Sequence, residues 1–129
     1  MATIQKVESD QAPRAVGPYS QGTRIGDLVF VSGQLPLDPA TGQMVERHIR
    51  TQTAQALTNV EAVLRAAHLT LGQVVRCDVF LKDLADFKEM NDIYAQRFTQ
   101  DVKPARQVFE AARLPLDAMV EISCIAHRE

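Results

Sequence analysis

KPARQVFEAARLPLDAMVEISCIAH, residues 103–127, is the stretch from which the rest of the chain can be ordered. It reads as two strands joined by a Leu114-Pro-Leu-Asp117 corner. In the second strand, alternation places Val120, Ile122, Cys124 and Ala126 on one face and Met119, Glu121, Ser123, Ile125 and His127 on the other. In the first, Arg106, Val108 and Glu110 fall together. Each strand carries one charge that a plain sheet does not need. Arg106 follows a Pro-Ala step, and Glu121 sits between Val120 and Ile122. A guanidinium holds a carboxylate through two parallel hydrogen bonds. A glutamate shielded from bulk water can be tuned to move protons near neutral pH. Together the two suggest a site that grips a small acid and does proton chemistry beside it. By spacing alone they read first as strand-edge charges, or as a pair for each other.

Working outward, VVRCDVFL (74–81) is a strand with Val75, Cys77, Val79 and Leu81 on one apolar face and Arg76, Asp78 and Phe80 on the other. A helix begins at Asp86, with Glu89 three residues on as a capping-box variant, and buries Phe87, Met90, Tyr94 and Phe98. Asn91 falls on or near that stripe. A buried amide needs a partner, so it either ties the helix to a neighbour, the reading placed first, or faces a ligand. A longer helix over residues 50–68 follows from Leu57, Val60, Leu64 and Ala67. Leu28–Ser32 is a strand closed by Ser32-Gly33, where a glycine either admits a ligand close to the backbone or starts a turn. Residues 2–8 suggest a short edge strand. APRAVGPYSQG (12–22) is a loop whose Tyr19 lines a cleft or caps the core.

The expected order is β-β-α-β-α-β-β, with an extra short strand near Met44-Val45. This is an α+β architecture: one mixed sheet with two helices on one face. The uncovered face, expected to carry Met119, Ile125 and Val108, would pack on copies of the chain and leave Glu121 partly buried at an interface.

The 129 residues are expected to form one domain, 1–129. A formal net charge of -2 without a basic block argues against a nucleic-acid groove. No apolar run approaches the ~20 residues of a membrane span. MATIQKVESD lacks the apolar core of a signal peptide, so a cytoplasmic location and no membrane partner are expected. Cys77 and Cys124 read as reduced core residues. His48, His68 and His127 are too scattered for a zinc site, and no glycine fingerprint marks a nucleotide cofactor.

Five segments together carry a further signal: GPYSQG (17–22), VSGQLPLDPATG (31–42), VFLKDLADFKEMN (79–91), PAR (104–106) and VEISCIA (120–126). In order and spacing the chain resembles the YjgF family of reactive-intermediate deaminases, the RidA group, over essentially its whole length. The resemblance implies a chorismate-mutase-like fold and a homotrimer whose sheets pack inward as a barrel, with three clefts between subunits. It implies hydrolysis of small 2-imino or 2-enamino acids, such as 2-aminoacrylate, 2-iminopropanoate and 2-iminobutanoate, to 2-keto acids and ammonia. It implies neither a metal nor pyridoxal phosphate nor any other cofactor.

By the same resemblance Arg106 grips the substrate carboxylate, and Glu121 orients water and handles the departing ammonia. Tyr19, Ser32, Gly33 and Asn91 line or support the cleft, and Phe87 stands near it. One departure is Val108, where some members carry a cysteine; that position is expected to offer only its backbone N–H. The alternatives from other classes are a non-catalytic trimeric module binding or sensing a small acid, a ribonuclease or translation inhibitor, and a chaperone-like or structural trimer. The net charge of -2 speaks against the ribonuclease.

Overall fold

The computed structural model describes residues 3–128. Six strands form one sheet: β1 (Gln5–Val7), β2 (Gly22–Ile25), β3 (Leu28–Gln34), β4 (Val74–Leu81), β5 (Ala105–Glu110) and β6 (Val120–His127). Two helices accompany it, α1 (Ile49–Ala66) and α2 (Phe87–Arg97). The spatial order is β1-β2-β3-β6-β4-β5, with only β4 and β5 parallel. A parallel pair needs a crossover, and α2 provides it. The expected mixed sheet with two helices is therefore observed. The last strand is inserted at the centre, between β3 and β4. The two strands of the 103–127 stretch are thus held apart by β4.

The core lies between the sheet and the helices. Ala56, Leu57, Val60, Val63 and Leu64 of α1 are fully buried against Val79, Leu81, Val120 and Ile122. The His48 ring accepts a hydrogen bond from the Arg50 N–H at the start of α1. The helix ends where His68 turns to φ 64° and the Leu69 N–H donates back to Leu64 O at 2.9 Å.

Several expectations are corrected. No strand was expected between the 12–22 loop and Leu28, yet Gly22–Ile25 forms β2, a hairpin with β3. The signal was the two-residue Gly26-Asp27 step between paired Ile25 and Leu28, with Gly26 at φ 56°. Met44 makes one isolated bridge to Leu37 and no strand. Of the 2–8 strand only Gln5–Val7 is formed, and Ala2 lies outside the described residues. Asp86 makes no side-chain cap; Asp83 does, accepting from the Ala85 N–H at 2.8 Å one turn earlier.

Two bulges decide which side chains face inward. On β4, Val74 pairs with Ala126 and Arg76 with Ile125, so β4 holds one extra residue. Val74 enters the core and Val75 is 48% exposed, the reverse of plain alternation. On β3, Val31 pairs with Cys124 and Gln34 with Ile122, which places an extra residue at Ser32-Gly33.

The face away from the helices is apolar in part, and of the three residues expected there only Ile125 stands on it. Val108 and Met119 pack against the helix-side core. The open face instead presents Leu28, Phe30 and Phe109, all substantially exposed, with Ile125 opposite Phe30 and Phe80 opposite Phe109. Among the described residues no helix is long and apolar enough to cross a membrane.

Candidate active site

Glu121 is set by the alternation of β6. Val120 and Ile122 point into the core, so the carboxylate stands on the open face. There it lies directly over Gly33: a Cβ added at Gly33 would meet Glu121 Oε2 at 2.5 Å and Cδ at 2.9 Å. The bulge brings the glycine to that point, and only a residue without a side chain leaves the carboxylate its place. Partial burial raises the Glu121 pKa above its ordinary value. No cation lies within ion-pair distance of it among the described residues.

Gly33 and Glu121 line a cavity of about 740 Å³ with Tyr19, Ser32, Arg14 and Leu116. Tyr19 is 52% exposed, so it lines the cleft and does not cap the core. Ser32 lies at the cavity but does not offer a free hydroxyl. Its Oγ donates to Ser20 O at 2.6 Å and its N–H to Gln21 O at 2.9 Å, which fixes the Tyr19 loop. Gln21 completes that anchoring: its amide donates to Ser9 O, Ala12 O and Pro13 O, and its carbonyl accepts from the Ser9 N–H.

Arg106 belongs to the other side of the sheet. It pairs with Cys77, a fully buried residue, and reaches beneath α2. Its Nη1 donates to Asn91 Oδ1 at 2.6 Å. Its guanidinium carbon lies 4.7 Å from the Tyr94 ring centre and 5.5 Å from that of Phe87. Phe87, Asn91 and Tyr94 are spaced four and three residues apart, so one face of α2 supplies all three contacts. Asn91 thereby satisfies its amide oxygen, and its tie is to the guanidinium itself. Arg47, Arg50, Arg76 and Arg97 each have a carboxylate partner; Arg106 has none among the described residues. A cavity of about 430 Å³ opens beside it, lined by Asn91, Tyr94, Phe98, Lys103 and Pro104.

Val108, two residues along β5, turns its side chain to the core. The Ala111 N–H donates to Leu81 O, so alternation along the strand directs the Val108 N–H to the free edge of the sheet. The cysteines offer no nucleophile. Burial pushes the Cys77 thiol up to about 12 and raises that of Cys124 as well. Among the described residues no three His, Cys, Asp or Glu side chains are grouped to hold a metal ion.

Arg106 and Glu121 of one chain do not meet. Arg106 is level with Cys77 of β4 and Glu121 with Phe80, on strands either side of β4. Two strand spacings separate them by roughly 10 Å across the sheet and three residues by roughly 10 Å along it. They also face opposite sides. The reading that the two charges pair with each other within the chain is thereby excluded.

Four residues here escape sequence reasoning: Tyr94, Arg14, Leu116 and Asp117. Tyr94 was assigned to the helix core, where it also stands. Arg14 gave no signal in a loop. Leu116 and Asp117 both adopt φ 56°, a left-handed pair that costs roughly 1–2 kcal/mol per residue and that local sequence does not announce. Arg47 and Lys82 grip the Asp117 carboxylate at 3.0 and 2.8 Å and hold this corner at the mouth of the Glu121 cavity.

A family model described as Endoribonuclease L-PSP matches residues 9–128. A RutC family protein of Pyrococcus horikoshii is 45% identical over 94% of this chain and 95% of its own. The 2-iminobutanoate/2-iminopropanoate deaminase of Salmonella typhimurium is 44% identical over 95% of this chain and 96% of its own. Among solved structures, the YjgF gene product from E. coli superposes with a TM-score of 0.91 at 38% identity, covering 97% of this chain and 99% of that one.

Proposed function

This chain belongs to the Endoribonuclease L-PSP family, the YjgF and RidA proteins, and on that premise we propose that it is a metal-independent deaminase of small 2-imino and 2-enamino acids. Its substrates would be 2-iminobutanoate, 2-iminopropanoate and the enamine tautomer 2-aminoacrylate. The products are the 2-keto acid and ammonia, and the protein acts in the cytoplasm as a single domain assembled into a homotrimeric barrel. One observation carries the reading. A guanidinium without a carboxylate partner among the described residues and a glutamate of raised pKa lie on opposite sides of one sheet, an arrangement that a second copy would complete. The exposed Leu28, Phe30 and Phe109 on the open face support that assembly.

In the shared cleft, Arg106 of one copy binds the substrate carboxylate, with the Val108 N–H at the sheet edge as a further donor. Fixing that end holds the C=N carbon beside a water positioned by Glu121 of the neighbouring copy. The water oxygen attacks the carbon, the C=N π-electrons move to nitrogen, and Glu121 takes the water proton. The protonated Glu121 returns that proton to the nitrogen. Glu121 next takes the carbinol O–H proton and delivers it to the amine nitrogen; the oxygen lone pair closes the carbonyl as the C–N bond breaks, and ammonia leaves with the bonding pair. For the enamine tautomer, protonation of the terminal carbon precedes this addition. The ribonuclease activity in the family's description is not carried over, because a chain of net charge -2 has no excess of cations with which to hold a phosphate backbone.

Mixing subunits tests the reading. Arg106→Ala and Glu121→Ala homotrimers should each form no keto acid above background. Unfolded and reassembled together in equal amounts, they should recover about a quarter of wild-type activity, since each mixed trimer rebuilds one intact cleft. No recovery, with mixed trimers demonstrated by mass spectrometry, would reject the two-chain site. Full activity of either single variant would reject its assigned role.

A further inference from the structure

We infer that Tyr94 is a positioning residue for Arg106: its ring, held by the core, fixes the plane in which the guanidinium meets a ligand carboxylate. This rests on the reading of Arg106 as the carboxylate grip. Little holds Arg106 in place. It stands on the edge strand β5, and its one side-chain hydrogen bond among the described residues goes to Asn91. A single hydrogen bond at one nitrogen leaves the guanidinium free to swing about that contact. Bidentate recognition of a carboxylate demands a defined plane. A second, non-directional surface is therefore required, and it must not occupy the remaining N–H groups.

The Tyr94 ring meets both conditions. It lies 4.7 Å from the guanidinium carbon, closer than Phe87 at 5.5 Å. Tyr94 is only 6% exposed, whereas Phe87 is 37% exposed, so the nearer ring is also the more confined. Phe98 packs on it at 4.4 Å between ring centres, the two planes tilted by 35°. Tyr94 and Phe98 line the same cavity as Arg106 and Asn91. The order of the core is thus passed through Tyr94 to a side chain at the sheet edge, and the attraction of a cation to the ring face leaves the N–H groups open.

The hydroxyl does not take part. Among the described residues Tyr94 Oη is buried beside the Cys77 thiol and makes no hydrogen bond to the guanidinium, whose bond goes to Asn91. The contribution therefore belongs to the ring. Tyr94→Phe should preserve it and Tyr94→Leu should remove it.

The test uses the full-length protein and two readouts. Imines generated by an amino-acid oxidase give kcat and KM, and the Nε–Hε resonance of Arg106 reports guanidinium order by NMR. Tyr94→Phe is expected to keep KM within about twofold and leave the resonance in place. Tyr94→Leu is expected to raise KM about tenfold with kcat within about twofold, and to move the resonance toward that of a free arginine side chain. Tyr94→pentafluorophenylalanine keeps the shape and inverts the ring's charge distribution. It should behave like Tyr94→Leu, and it decides the matter if the leucine variant does not fold. A wild-type KM with an unmoved resonance in the ring-altered variants would overturn the inference, as would a KM in Tyr94→Phe raised as far as in Tyr94→Leu. If wild-type protein turns over no imine, the deaminase reading fails by itself. The resonance and the equilibrium binding of 2-oxobutanoate still test the ring.

Discussion

Gly33 and Glu121 occupy one volume: the space a Cβ would fill on Gly33 is taken by the Glu121 carboxyl, with Oε2 at 2.5 Å and Cδ at 2.9 Å from that point. The glycine is the floor of the acid's site. Its absent side chain is a requirement of position, since Gly33 does not lie in the left-handed region.

Gly33→Ala should therefore separate function from stability. The clash falls on the far end of a flexible side chain, which swings aside at small cost. The melting temperature is expected to stay within about 2 °C of wild type, a loss under ~0.5 kcal/mol. Keto-acid formation should fall about 10- to 100-fold as Glu121 leaves its place. A variant with undiminished kcat/KM would show that the carboxylate position is not critical.

Arg106→Lys removes the planar fork and the bond to Asn91 while retaining the charge. A charge-assisted bond is worth about 1.5–3 kcal/mol, so binding of 2-oxobutanoate should weaken about 10- to 100-fold. Asn91→Ala should weaken it in the same direction but less, about fivefold, since the Tyr94 and Phe87 contacts remain. Isothermal titration of both variants checks the order. Equal affinity of Arg106→Lys and wild type would contradict bidentate recognition.

The raised pKa of Glu121 has two consequences of opposite sign. For activity, the proton acceptor must be ionised, so the acid limb of kcat/KM should lie above the ordinary glutamate value of 4.5. For stability, the folded protein holds this proton to higher pH than the unfolded chain does. Stability is thus lost as pH rises from 4.5 through the folded value. Glu121→Gln should be more stable than wild type at pH 7.5, because a neutral amide avoids the cost of holding an ionised carboxylate in a half-buried site. The gain should vanish below about pH 4, where both forms of the protein carry the proton. Urea denaturation at the two pH values checks it, and a Glu121→Gln variant less stable at pH 7.5 would contradict it.

Gln21 is the anchor of the loop that presents Tyr19. Its amide donates to three carbonyls of residues 9–13, the shortest being Pro13 O at 2.7 Å, and its carbonyl accepts from the Ser9 N–H at 2.7 Å. Gln21→Ala should cost about 1–3 kcal/mol through the buried groups left without partners. It should also speed hydrogen exchange of the Ser9 amide. Unchanged protection there would show that the loop is held by something else.

Much of the architecture could be read from residue types alone. The period-two pattern of residues 120–127 and the stripe through Leu57, Val60 and Leu64 report burial on one face, and burial on one face is what their elements show. Where plain alternation failed, the backbone carried an extra residue. Val75 lies outside because β4 bulges, and Gly33 meets Glu121 because β3 bulges. The Gly26-Asp27 step is a hairpin signal in itself, but the strand before it is only four residues long, GTRI, and too short to show an alternation.

The sequence by itself determined that there is a sheet with two helices on it, and its motifs singled out Arg106, Glu121, Asn91 and Gly33. Only the tertiary structure decided that Arg106 turns toward α2 and Glu121 away from it. That choice depends on register, because a slip of one residue in a strand sends every side chain to the other face. Register is settled by pairings between residues far apart in the chain, Cys77 with Arg106 and Phe80 with Glu121, which no local pattern contains.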